Sequence, residues 1–409
     1  MAERSPLAPK AFPQLPPIAG VRLAAVASGV RYKGRDDLMV AVLDPGTAVA
    51  GVLTRSKTAG APVEWCRAGL KRGRARALVV NSGNANTFTG RRGQSVVEAT
   101  ARAMARLLGC QPREVFISST GVIGEPPPGE KIVAALPEAM SALSPAAWPE
   151  AARAIMTTDT FAKAATRRAT IEGARITVNG FAKGSGMIAP DMATMLAYVF
   201  TDAAIAPAAL QELLRASNER SFNAITVDGD TSTSDTCLLL ATGKAAHRRI
   251  ARARDARLKD FRRALDEVMV ELAQQVVRDG EGAEKFVTIE VSGAVSRRAA
   301  LRVGLAIGNS PLVKTAIAAG DANWGRIVMA VGKAGERAER DRLAVAIGGV
   351  RIAEKGGPVE GYDEAPVQHH MAGRDIHIAV DLGVGRARAT VWSCDLTHRY
   401  IDINGSYRS

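Results

Sequence analysis

Aromatic side chains make up only 4% of the 409 residues, too few for the stacking platforms on which single-stranded nucleic acids are held. Cysteine is scarcer still: Cys66, Cys110, Cys237 and Cys394 lie far apart and form no CxxC pair. That spacing argues against a zinc site and for reduced thiols in a cytoplasmic protein. No apolar run approaches the roughly 18 to 20 residues a membrane-crossing helix needs, so no membrane partner is expected. The opening residues Met1 to Pro17 hold several prolines but no apolar stretch of the kind a secretory signal contains. Residues 1–20 therefore read as a loose leader.

Acidic residues are outnumbered, 41 Asp and Glu against 54 Lys and Arg, a net charge of +13. Such an excess raises nucleic-acid binding as a candidate role. The basic residues are scattered, however. The densest cluster, His247 to Arg263, runs into a segment whose apolar positions Leu258, Phe261, Leu265, Val268, Leu272 and Val276 recur at helical spacing. Its arginines then form a solvated helix face, and no nucleic-acid partner is expected.

With 47% hydrophobic residues the chain can bury a sizeable core, and more than one. Leu38 to Leu43 and Ala77 to Val80 read as strands, Val96 to Leu108 as a helix stopped by Gly109, and the run Pro126 to Pro128 as a loop before a helix beginning near Glu130. Met195 to Phe200 suits a buried strand and Ala208 to Ser217 a helix. From about residue 286 the texture shifts. Val287 to Val291, Leu301 to Ile307, Leu343 to Ile347, Asp375 to Leu382 and Ala387 to Trp392 all read as short strands, which suggests a smaller C-terminal α/β unit over 286–409.

The chemistry concentrates in Lys183-Gly184-Ser185-Gly186-Met187-Ile188-Ala189-Pro190-Asp191-Met192-Ala193-Thr194-Met195-Leu196. A threonine hydroxyl becomes a useful nucleophile when a base stands beside it, and an N-terminal threonine carries that base as its own α-amine. The Ala193–Thr194 bond would have to break first. Small Ala193 leaves the scissile carbonyl open, and Gly184 and Gly186 let backbone approach it in conformations other residues avoid.

This segment resembles, nearly residue for residue, the self-processing site of the ornithine acetyltransferase family of the cyclic arginine pathway, whose bifunctional members also make N-acetylglutamate. The resemblance spans the chain: Asn81 to Asn86, Ser118-Ser119-Thr120-Gly121-Val122-Ile123-Gly124, Met156 to Thr160, Thr226 to Ser232, Asp279-Gly280-Glu281-Gly282-Ala283, Ser310 to Ala316, Asp321 to Arg326 and Ile403 to Ser409. It implies an α/β fold of the layered α/β/β/α kind, with mixed sheets. Cleavage divides the chain into a region over 21–193 that carries the oxyanion loop and a second fragment opening at Thr194, whose first part runs over 194–285.

Residue by residue, the resemblance makes Thr194 the nucleophile and Thr120 and Gly121 the oxyanion hole, and lines the substrate site with Thr157, Lys183, Thr194, Glu281, Asn404 and Ser409. Lys183 suits a substrate carboxylate and Glu281 an ammonium. The Thr120 loop follows the apolar run Val115 to Ile117, which places it at a strand end. Asn404 and Ser409 imply a C-terminus folded back over the site.

Three further patterns carry less. Gly308 to Thr315 hints at a phosphate loop, but Val313 stands where the second glycine belongs and Pro311 lacks an N–H. His369-His370 falls on opposite faces of any strand and makes a poor chelate. Asp228, Asp230 and Asp235 sit in a Gly/Ser/Thr-rich stretch that could bind a cation, though loop capping is the favoured reading. No metal or other cofactor is expected.

The activity expected from the resemblance is transfer of acetyl from N2-acetyl-L-ornithine to L-glutamate through acetyl-Thr194, with acetyl-CoA as a second donor in bifunctional members. The fragments are expected to associate as an α2β2 heterotetramer. The alternative is an N-terminal-nucleophile amidohydrolase or aminopeptidase of related fold, in which water resolves the acyl-enzyme.

Overall fold

A computed structural model describes residues 3–189 and 195–406, the side chain of Ser406 apart. Among the described residues there are three sheets. The first has the strand order Val21–Val26, Leu38–Leu43, Ala77–Asn84, Val115–Val122, the last pair parallel and the others antiparallel. The second runs Ala48–Leu53, Thr236–Ala241, Leu196–Thr201, Ala174–Lys183, Lys163–Ile171.

These two sheets pack face to face, and the alternation of side chains along each strand explains why their sequences are apolar throughout. In the Leu38–Leu43 strand, Met39, Ala41 and Leu43 enter the core between the sheets, while Leu38, Val40 and Val42 face the helical layer. In the Thr236–Ala241 strand Leu238 and Leu240 point inward, and Cys237, Leu239 and Ala241 outward. Trp148 fills the inner core edge-on to Phe200, with ring centroids 5.5 Å apart.

Helices Gly90–Leu108 and Gly129–Ser141 cover the outer face of the first sheet, and Pro207–Asn218 and Lys259–Arg278 that of the second. The result is the expected α/β/β/α stack. The first of these helices ends on Gly109 at φ 60°, the left-handed turn that glycine adopts without strain. In Lys259–Arg278, Phe261, Leu265, Val268, Leu272 and Val276 are buried against the sheet, as their spacing predicts.

The third sheet, of six strands, opens with Phe286–Ala294 and forms a separate core with the helices that follow it. Here one expectation is corrected. Leu301 to Ile307 is not a strand but part of the helix Arg297–Gly308. Ser296 caps it by accepting a hydrogen bond from the Ala299 N–H at 3.1 Å, and Ala300, Val303, Gly304 and Ile307 share its buried face. A short apolar run has no period of its own to separate helix from strand, and the capping serine decides.

His369 and His370 likewise lie on a helix, Ala365–Ala372, and His370 Nε2 accepts the His377 N–H at 2.9 Å. The opening segment is held down rather than loose. Ser5 Oγ donates to the Arg278 carbonyl at 2.6 Å, the Pro16 carbonyl accepts from Asn179 Nδ2 at 2.7 Å, and Leu7 and Ile18 are buried. Prolines deprive this stretch of regular structure but leave its carbonyls available for such anchoring. Among the described residues, no helix is long and apolar enough to cross a membrane.

Candidate active site

The strand Ala174–Lys183 ends where Leu196–Thr201 begins, with Lys183 paired to Leu196, so the glycine-rich segment leaves and rejoins the second sheet at the same end of two neighbouring interior strands. Thr120 and Gly121 arrive at the same place from the end of Val115–Val122 in the first sheet. A cleft lies between them. Thr120, Gly121, Thr157, Lys183, Glu281 and Asn404 all line it, as does Met195. These are six of the seven expected substrate and oxyanion residues whose numbers precede 409. The seventh, Thr194, lies outside the described residues, as do Ala193 and Ser409.

Gly121 is glycine for a geometric reason. Its φ is 128°, and a Cβ at this position would stand 2.4 Å from the carbonyl oxygen of Gly83 on the neighbouring strand. Only a residue without a side chain lets the two strand ends approach this closely. Lys183, nine-tenths buried, donates from Nζ to Thr120 Oγ1 at 3.3 Å. With its oxygen occupied as an acceptor, the Thr120 hydroxyl has its own proton to offer elsewhere.

Behind Lys183 lies a charge cluster that sequence reasoning did not assign. Lys163 is fully buried between two carboxylates, with Nζ 2.6 Å from Asp159 Oδ1 and 2.5 Å from Asp279 Oδ2. Lys183 Nζ stands 3.9 Å from Asp159 Oδ2. Burial alone would raise the Asp159 pKa, but Lys163, Lys183 and a hydrogen bond from the Gly184 N–H outweigh it and hold this carboxyl well below the usual range. Burial opposes the charge on Lys163 too, and the two carboxylates reverse that, raising its pKa. Asp279 is pushed up by burial, against the pull of Lys163, and accepts hydrogen bonds from the N–H and the hydroxyl of Thr160.

This cluster fixes both ends of the substrate loop. Asp159 accepts the Thr157 N–H at 3.0 Å and the Gly184 N–H at 2.6 Å, so one carboxylate sets the two segments that carry Thr157 and Lys183. Thr158 and Ser185 share a hydroxyl hydrogen bond of 2.7 Å. The blocks Met156 to Thr160 and Asp279 to Ala283 contained these aspartates in the sequence. What the sequence did not offer was Lys163, one lysine among many until the fold buries it.

Asp228 clamps the loop further along, accepting the N–H groups of Met187 at 2.6 Å and Ile188 at 2.9 Å. It thus caps a loop, as expected. Burial raises its pKa against those hydrogen bonds. Asp235 departs from the loop-cap reading: it is 1% exposed, lines the cleft, and its Oδ2 has no hydrogen-bond partner among the described residues.

Glu281 closes the far side. Its N–H donates to the Ser185 carbonyl at 2.9 Å, and its Oε2 accepts from Asn404 Nδ2 at 2.8 Å. Gly186 leaves room for it, because a Cβ there would lie 2.4 Å from Glu281 Oε2. Asn404 comes from the final helix, His398–Ser406, which packs so closely on Gly282 that a Cβ there would meet the Tyr400 nitrogen at 2.6 Å. The helix His398–Ser406 therefore folds back on the cleft, and the residues after it lie outside the described ones.

A buried lysine beside a threonine hydroxyl, a glycine strand end and a glutamate held by an asparagine suit an amino-acid substrate carrying an acyl group. Among the described residues, no group of three or more His, Cys, Asp or Glu could hold a metal ion. The thiols of Cys66 and Cys237 are pushed up by burial to about 12, which leaves them unreactive near neutral pH.

The model of the ArgJ family matches residues 22–409. The chain belongs to the ArgJ family. It is 59% identical over 411 aligned positions to the arginine biosynthesis bifunctional protein ArgJ of Gluconobacter oxydans, covering 100% of this chain and 97% of that one. The bifunctional ArgJ protein of Bradyrhizobium diazoefficiens is 57% identical, with 99% of each chain covered. A solved structure of the bifunctional ArgJ protein of Bacillus halodurans is 39% identical with a TM-score of 0.51, covering 52% of this chain and 100% of that one. Membership makes this chain an acyltransferase of arginine biosynthesis, and it does not favour the amidohydrolase alternative.

Proposed function

We propose that the chain cuts itself between Ala193 and Thr194 and then carries acetyl from N2-acetyl-L-ornithine to L-glutamate on Thr194. The hydroxyl of Thr194 attacks the acetyl carbonyl while the freed α-amine takes its proton, and ornithine leaves with a proton on its nitrogen. Glutamate then binds the same cleft, its neutral α-amine attacks the ester, and the threonine hydroxyl is restored. Thr120 and the Gly121 N–H receive the oxyanion in both halves.

The observation that carries this reading is the contact of Lys183 with Thr120 in a cleft that Met195, the residue following the nucleophile, also lines. Lys183 supplies a cation for the α-carboxylate common to donor and acceptor. Glu281, oriented by Asn404, supplies an anion for the distal ammonium of ornithine.

Acetyl-CoA loads the same threonine in this account, making the enzyme bifunctional, and the fragments pair as α2β2 in the cytoplasm without a metal or redox cofactor. The test is acetylation of glutamate with acetylornithine and acetyl-CoA as separate donors. Both should yield N-acetylglutamate. Activity with acetylornithine alone would remove the second function, and release of acetate without glutamate would replace transfer by hydrolysis.

A further inference from the structure

Two lysines meet one carboxylate behind the cleft, and only one of them has all its protons placed. Lys163 Nζ donates to Asp159 Oδ1 at 2.6 Å, to Asp279 Oδ2 at 2.5 Å and to the Phe161 carbonyl at 3.3 Å, which accounts for the three donors of an ammonium group. Lys183 makes one side-chain hydrogen bond among the described residues, to Thr120. Its Nζ stands 3.9 Å from Asp159 Oδ2, too far for a second one.

That gap needs a reason. The Lys183 side chain is 11% exposed and that of Asp159 not at all, so the two charges attract with little screening, and a flexible four-carbon stem could close the distance. The sheet sets where each lysine starts. Lys163 pairs with Ala182 on the neighbouring antiparallel strand, so Lys183, one residue further, leaves from the opposite face. Asp159 precedes the strand that Lys163 opens, and both lysines reach it there. Its Oδ1 takes Lys163 and the Gly184 N–H, and its Oδ2 the Thr157 N–H. With these partners in place, Asp159 has little left with which to draw Lys183.

Resting on the assignment of Lys183 to the substrate's α-carboxylate, we infer that Lys163 is a positioning residue for both halves of the reaction: by neutralising Asp159 it keeps the Lys183 ammonium turned to Thr120 and the cleft. Lys163 is fully buried and does not line the cleft, so it acts through Asp159 and not on substrate. Without its charge, Asp159 becomes a buried carboxylate short of a cation. Lys183, the other cation beside it, then closes on Asp159 and withdraws from Thr120 and from the place of the substrate carboxylate. Asp279 has another way out, because burial already pushes it toward its neutral form and it can take up a proton.

The test compares N2-acetyl-L-ornithine with N-acetyl-1,4-diaminobutane, the same donor without its carboxylate. Lys163→Met keeps the length of the side chain and removes its charge. The preference for acetylornithine, taken as the ratio of kcat/KM for the two donors, should fall about tenfold or more in this variant, and KM for glutamate should rise with it. Lys163→Arg, which keeps the charge, should retain most of the preference. An equal loss on both donors, the mark of a merely structural role, would overturn the inference. Should Lys163→Met fail to fold, Asp159→Asn decides: with the competing charge gone and Lys163 in place, the preference should hold or rise, and a tenfold fall would overturn the inference. Lys183→Met tells the two readings apart. A preference untouched by it would overturn the assignment of Lys183 to the carboxylate, whereas a preference lost with Lys183→Met and kept with Lys163→Met would overturn the role of Lys163 alone.

Discussion

Lys183 Nζ meets Thr120 Oγ1 at 3.3 Å, joining the end of a strand in one sheet to the end of a strand in the other. The contact orients the threonine hydroxyl and places a positive charge beside it, which strengthens it as a donor toward a developing oxyanion. Replacing Thr120 by Ala should lower kcat with acetylornithine by roughly 100- to 1,000-fold while KM changes little. Thr120→Ser, which keeps the hydroxyl, should recover much of the loss. Steady-state kinetics of the two variants decide it, and an unimpaired Thr120→Ala enzyme removes this residue from the mechanism.

Gly121→Ala should fail more broadly. The added methyl would strike the Gly83 backbone at a φ that side chains rarely adopt, a strain of about 1–3 kcal/mol before any displacement of the strand end. Thermal unfolding should begin several degrees lower and turnover should fall with it. A variant that melts with the wild type would show that the two strand ends are not so closely set.

The buried cluster predicts an acid limit. Asp159 has its folded pKa depressed, so its contribution to stability is fully present above the unfolded value of about 3.9 and is lost as pH falls toward the folded one. Asp159→Asn should therefore be destabilised at pH 7, yet lose stability less steeply than wild type below about pH 4. Melting temperatures across that range check the sign. Parallel curves would mean that Asp159 does not carry this dependence.

Glu281→Gln should raise KM for acetylornithine about tenfold or more and leave that for glutamate, which has no distal ammonium, much less affected. Asn404→Ala should act in the same direction and more weakly, because it frees Glu281 without discharging it. Equal effects on both substrates would assign Glu281 to the shared amino-acid core instead.

Much of the fold was legible because alternation and helical spacing are direct records of burial. Leu38–Leu43 falls on its strand, and the helix through Phe261 to Val276 buries the face its spacing marks. Leu301 to Ile307 misled because a short apolar run suits either element, and the deciding signal, the Ser296 cap, lies outside it. Thr120, Lys183 and Glu281 were marked by the family resemblance and not by their types alone, and the structure brings all three to one cleft. The site was not legible at Lys163 and Asp235. Both stand out by being buried, one between two carboxylates and the other with one carboxylate oxygen unpaired among the described residues, and burial belongs to the tertiary fold.

The central claim is that Thr194 becomes an N-terminal nucleophile and carries the acetyl group. Purified protein should be mixed with acetylornithine in the absence of glutamate, quenched in acid and examined by mass spectrometry. The account predicts two fragments, the second beginning Thr194-Met195-Leu196 and bearing one acetyl group on the threonine oxygen, which disappears when glutamate is added. A fully active single chain, or an acetyl group carried on any other residue, would contradict it.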